Sequence, residues 1–122
     1  PKEITRATVE SVAYQTYDLF EAMKNDGLKP KLIKVDGGMV LNNWFSQFLS
    51  DTINTKVLRP KVNETTALGA AFMAGLQIGV YKSLKDIAKN WQAGKSFKPR
   101  IKNSERKILI DGWSKAIKKT LS

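Results

Sequence analysis

Apolar positions early in the chain recur every three or four residues: Val9, Val12, Ala13, Leu19, Phe20 and Met23, with Thr16 in step. That spacing lays one apolar stripe along a cylinder and predicts an amphipathic helix of roughly six turns. Asn25-Asp26-Gly27 ends it. After Pro30 the run Leu32 to Val35 is short and rich in Leu, Ile and Val, as suits a buried parallel strand. Trp44, Phe45, Phe48, Leu49 and Ile53 mark one face of a second helix, with Asn42 or Asn43 as its N-cap. Lys56 to Arg59 reads as another strand, stopped by Pro60. Strand, helix and strand within about thirty residues make a βαβ unit, whose right-handed crossover predicts two parallel neighbouring strands.

Asn63 and Glu64 offer an N-cap and an early acidic residue for a third helix, which is almost wholly apolar from Ala67 to Ile78 and is expected to be buried on most sides. Leu84, Ile87, Ala88 and Trp91 mark a short amphipathic helix, and Gly94 to Lys102 reads as a basic loop. The last helix is expected to start at Ser104 with Glu105 in its first turn and to carry Ile108, Trp113, Ala116, Ile117 and Leu121. Lys115, Lys118 and Lys119 then face the negative end of its dipole.

The candidate chemistry lies at the junction of the first strand and the second helix, in Asp36-Gly37-Gly38-Met39-Val40-Leu41-Asn42-Asn43. Two glycines without Cβ atoms let the strand swing abruptly into a helix and let another group approach the backbone. A helix starting near Asn42 would aim free N–H groups and a partial positive charge at whatever lies above the turn, where open α/β sheets bind ligands. The same glycines could equally serve only to tighten the connection. Asn42 likewise has two readings, as a contact offering amide donor and carbonyl acceptor, or as the helix N-cap. Asp36 fits capping or orienting the turn better than holding a metal, Glu64 fits a dipole role, and Arg59 fits a structural salt bridge on the far side of the helix from the glycines.

Composition narrows the classes. A chain of 122 residues, 42% hydrophobic and 26% charged, is at most one domain, burying perhaps ~65% of its unfolded surface. The chain has neither cysteine nor histidine, which excludes disulfides, thiol chemistry, a Ser-His-Asp triad and the usual zinc sites. Lack of cysteine is compatible with a cytoplasmic location. The longest apolar stretch, Ala67 to Leu76, is about half the ~20 residues a membrane span requires. A formal charge of +10 raises a nucleic-acid surface as one reading. The lysines and arginines are dispersed without an interleaved aromatic platform, and a solvated basic surface is the better reading.

From Leu32 to Tyr81 the order and spacing of Asp-Gly-Gly, Asn42-Asn43-Trp44-Phe45, Val57-Leu58-Arg59-Pro60 and Thr65-Thr66-Ala67-Leu68-Gly69-Ala70-Ala71 closely resemble the FGGY carbohydrate kinases, and among them the glycerol kinase branch. The resemblance starts at Ile4 to Thr16 and continues more weakly to Gly112-Trp113. It implies an α/β fold, the C-terminal part of a ribonuclease-H-like, actin-like ATPase lobe, with residues 1–122 forming the nucleotide-binding side and the N-terminal lobe absent. It implies ATP with Mg2+ as cofactors, glycerol as acceptor, and nucleotide contact at Gly38 and Asn42. The phosphate loop, polyol site and catalytic aspartate belong to the absent part, so the resemblance assigns no catalytic residue here and leaves the isolated chain inactive. Met39 stands where many relatives carry a small residue. A chain with an uncovered strand edge is expected to self-associate, and a homo-oligomer follows. Another FGGY sugar kinase, or a non-catalytic basic module for nucleic acid or a partner protein, are the alternatives.

Overall fold

The computed structural model describes residues 1–61 and 64–122. It holds helix α1 (Lys2–Asn25), strand β1 (Leu32–Lys34), a 3-10 turn (Gly38–Leu41), α2 (Asn43–Ile53), β2 (Lys56–Pro60), α3 (Thr65–Gln77), α4 (Leu84–Ala88), β3 (Ala93–Phe97) and α5 (Asn103–Leu121). The first stripe folds as its periodicity predicts. Asp26, Gly27 and Leu28 close α1 by returning their N–H groups to the carbonyls of Ala22, Lys24 and Met23. Asn54, in the left-handed region at φ 51°, closes α2 and turns the chain into β2.

The sheet has three strands in the order β1-β2-β3. β1 and β2 are parallel, with Leu32 opposite Lys56, Ile33 opposite Val57 and Lys34 opposite Leu58, as the βαβ reading requires. The third strand corrects the sequence reading: Ala93–Phe97 lies inside what reads as a basic loop, yet pairs antiparallel with β2, Val57 opposite Phe97 and Arg59 opposite Lys95. Ala-Gly-Lys-Ser-Phe has little intrinsic strand preference, so pairing with β2 decides its conformation. Pro60 also sits within β2 instead of stopping it. The ladder slips between Arg59 and Pro60, and such irregular ends tolerate a residue without an N–H. Gly94 is required there, because a Cβ on it would stand 2.7 Å from the Pro60 carbonyl oxygen.

Helices α1 and α2 pack together over one face of this sheet. Ala13 and Phe20 of α1, Val40 of the turn, Phe45, Leu49 and Ile53 of α2, Val57 of β2 and Phe97 of β3 form the core. Each fully buried apolar side chain of this size stabilises by about 1.5–3 kcal/mol. The polar side of α2 fastens the segment after β3. The Asp51 carboxylate accepts the Arg100 N–H at 2.7 Å and the Gln47 amide at 3.0 Å, while the same Gln47 nitrogen donates to the Lys98 carbonyl. Arg106 of α5, itself buried, donates from Nε to the Asp51 carbonyl at 2.5 Å. Farther along α5, Trp113 stacks on Tyr14 of α1 with ring centroids 5.4 Å apart and donates to Asp18.

α5 begins one residue before the expected Ser104, and Glu105 accepts the Lys102 N–H at 2.8 Å. Trp91 lies beyond α4, and its ring carries the Lys34 ammonium 3.9 Å from the centroid. The largest departure concerns α3. This nearly all-apolar helix, expected to be buried on most sides, buries only Gly75, against Val80 and Tyr81, and leaves Met73 and the following Ile78 exposed. Composition says which helix favours burial; it does not supply the surface to bury it against. The Asn63 cap lies outside the described residues, and Glu64, at the N-cap position, makes no side-chain capping bond. Among the described residues no helix is long and apolar enough to cross a membrane.

Candidate functional site

The parallel ladder runs one residue past β1, where the Val35 N–H donates to the Leu58 carbonyl at 2.9 Å. Asp36 and Gly37 then carry the chain off the sheet. Gly37 takes φ 108° with ψ 168°, a backbone shape side-chain-bearing residues rarely adopt. Gly38 does not share this requirement. It opens the 3-10 turn, and a Cβ placed on it would meet no atom within 4 Å. No packing within the described residues therefore demands glycine at 38; the space above it is open. Val40 points into the core while Met39 and Leu41 on either side are exposed.

A 3-10 turn that begins at Gly38 leads to the helix, which starts where the sequence places it, with Asn42 as N-cap. Asn42 stands at its end with ψ 113°, and its Oδ1 accepts the N–H groups of Trp44 at 2.9 Å and Phe45 at 3.2 Å. The N-cap reading of Asn42 is the observed geometry. It revises the picture of an open helix N-terminus, because two of the orphan donors of α2 are already bound by the cap. The carbamoyl nitrogen of Asn42 is the half of the side chain left to face outward.

Arg59 corrects the sequence reading in both place and partner. Its Nη1 lies 3.0 Å from the carbonyl oxygens of Val40 and Leu41 and 3.1 Å from Asn43 Oδ1, at the foot of the glycine turn and not on the far side of the helix. These are neutral acceptors, so no salt bridge is made with them. Asp36, expected to cap or orient the turn, is exposed and its carboxylate makes no hydrogen bond or ion pair with the described residues.

Beside Asn42 opens a cleft of 470 Å³, walled by Asn42, Trp44 and the first turns of α1 through Lys2, Thr5, Arg6 and Val9. Trp44 is stacked on Phe48 at 5.1 Å, and the Arg6 guanidinium sits 5.7 Å from the Trp44 ring. Arg6 is ion-paired with Glu10 at 2.6 Å, and this hydrogen-bonded partner raises its pKa above the ordinary value. Val9 of the α1 stripe reaches this wall, whereas Lys2, Thr5 and Arg6 precede the stripe, so the apolar pattern does not bring them beside Trp44. Asn42 borders the cleft; Gly38 lies on the turn outside its wall. Among the described residues no group of three or more His, Cys, Asp or Glu side chains could hold a metal ion.

Residues 1–78 match the family described as "FGGY family of carbohydrate kinases, C-terminal domain". A glycerol kinase of Gluconobacter oxydans is 50% identical over 120 residues, spanning 98% of this chain and 23% of that protein. In three dimensions the chain is similar to the Plasmodium falciparum glycerol kinase solved with ADP, at TM-score 0.80 and 33% identity over 96% of this chain and 24% of that one. The gluconate kinase of Lactobacillus acidophilus superposes at TM-score 0.70 and 25% identity, over 90% of this chain and 22% of that one. The chain thus spans about a quarter of the length of the relatives it matches.

Proposed function

The chain belongs to the FGGY family of carbohydrate kinases, and on that premise we propose that it forms the nucleotide-facing C-terminal part of an ATP-dependent glycerol kinase. The reaction moves the γ-phosphoryl group of ATP to a glycerol hydroxyl and yields ADP and glycerol 3-phosphate. The 50% identity to a glycerol kinase over 120 residues supports the choice of acceptor.

Phosphoryl transfer needs positioning and charge neutralisation more than covalent chemistry from the protein, which suits a chain without histidine or cysteine. The open space above Gly38 supports close approach of nucleotide to the backbone there. Asn42 serves both of its roles at once, with Oδ1 committed to the helix and Nδ2 donating to the nucleoside. The hydroxyl proton of glycerol passes to a general base, an aspartate in the part of the kinase beyond this chain. Mg2+ would neutralise the phosphates. The described residues do not form a ligand set for it. The complete enzyme is cytoplasmic and homo-oligomeric in this reading.

The test is ADP release by the complete kinase with glycerol, gluconate and xylulose as alternative acceptors, alongside the 122-residue chain alone. We expect turnover with glycerol by the complete enzyme and none by the chain alone. Preference for gluconate or xylulose would move the protein to another branch of the family, and turnover by the isolated chain would overturn the division of labour.

A further inference from the structure

We propose that Arg59 is a positioning residue for nucleotide: it clamps the Gly38–Leu41 turn to the end of β2 and so fixes where Gly38 and Asn42 stand. The inference rests on the reading that this turn meets nucleotide. Arg59 follows Val57 by two residues along β2, so it shares the face that meets α2, and Val57 is fully buried there. Its Nη1 shares two N–H groups among the Val40 and Leu41 carbonyls, each at 3.0 Å, and Asn43 Oδ1 at 3.1 Å. The guanidinium is also braced by Phe97 of β3, whose ring centroid is 5.6 Å away.

The clamped carbonyls need a partner. A 3-10 turn is short and has poorer hydrogen-bond geometry than an α-helix. This one ends at Asn42, whose extended ψ of 113° prevents the turn from running on into α2. Besides Arg59 the Val40 carbonyl receives the Ser46 hydroxyl at 2.8 Å; for Leu41, Arg59 is the hydrogen-bond partner found among the described residues. Gly37 just before the turn and Gly38 at its first position have the most backbone freedom to lose on ordering. Without the clamp the turn samples several conformations, and nucleotide affinity falls by the fraction that remains competent. An acceptor site elsewhere in the kinase does not feel this loss.

In the complete kinase, Arg59→Ala should raise the KM for ATP about tenfold while changing that for glycerol less than about twofold. Arg59→Lys keeps the charge but not the fork, and should recover part of the loss. The amide resonances of Gly38 and Asn42 should broaden or split in Arg59→Ala. Val57→Ala, which removes core packing but none of the Arg59 hydrogen bonds to the turn, should lower the Tm and leave the ratio of the two KM values unchanged. Gly38→Val tests the underlying reading separately. If Gly38→Val raises the KM for ATP and Arg59→Ala does not, the clamp is wrong and the nucleotide reading stands. If neither raises it, the nucleotide reading falls and the clamp with it. If Arg59→Ala behaves as Val57→Ala does, Arg59 contributes only stability and the proposal is overturned.

Discussion

At the residue scale, substitutions at Gly38 and Asn42 separate the proposed nucleotide contact from folding. The Cβ of Gly38→Val meets no atom of the described chain, and the backbone at 38 is not in the left-handed region. The substitution should therefore leave the Tm nearly unchanged and raise the KM for ATP by about tenfold or more, a cost of ~1.4 kcal/mol in binding; thermal unfolding and steady-state kinetics on one preparation check both halves. Asn42→Ala removes the cap from Trp44 and Phe45 and should cost about 1 kcal/mol of stability. Asn42→Ser keeps a capping oxygen while deleting the amide donor, so its stability should stay within a few tenths of a kcal/mol of the parent, while ATP affinity drops as in Asn42→Ala. Retention of full ATP affinity by Asn42→Ser would show that Asn42 is a cap alone. Both residues were legible in the sequence because turn and cap chemistry is local. Arg59 was not, since its partners lie 16 to 19 residues back along the chain and only folding brings them within hydrogen-bond distance.

Among elements, the three helices α1, α2 and α5 meet at Tyr14, which packs edge-on against Phe48 at 5.6 Å and flat against Trp113. Burial pushes its phenol above the ordinary value of about 10, and the nearby Glu10 carboxylate adds to the shift. Tyr17 shifts the same way, again through burial first. A raised folded pKa means that the native chain keeps a proton the unfolded chain has lost. This contribution to stability is complete below pH ~10 and is lost as pH climbs through the folded value. Tyr14→Phe preserves the ring and removes the titration, so urea midpoints measured from pH 9 to 11 should fall less steeply in the variant; equal slopes would refute the assignment. The periodicity foretold α1 and α2, and it could not foretell how α5 attaches. The anchors there are a buried arginine on a backbone carbonyl and an indole on a tyrosine, neither of which leaves a spacing signal in one helix.

For the whole molecule, β2 is paired on both sides, whereas β1 and β3 each present an unpaired outer edge among the described residues. Unpaired N–H and C=O groups recruit another chain, and α3 offers an exposed apolar surface in addition. The isolated chain should therefore sediment with a concentration-dependent mass, and amide hydrogen exchange should be slowest in Lys56–Pro60 and faster in Leu32–Lys34. A concentration-independent monomer with equal protection in both strands would show that the sheet is self-sufficient.

What the sequence by itself determined is whatever depends on neighbours a few residues apart: the stripes of α1 and α2, the parallel strand pair, the glycine turn with its cap, and the family those motifs mark. Tertiary structure alone decided that Ala93–Phe97 is a strand, that Pro60 continues one, that Arg59 holds the turn, and that α3 stands uncovered. Periodicity records which side of an element avoids water and says nothing of which distant segment will cover it. Val57 finds Phe97, and Arg59 finds Val40, only once the chain has folded.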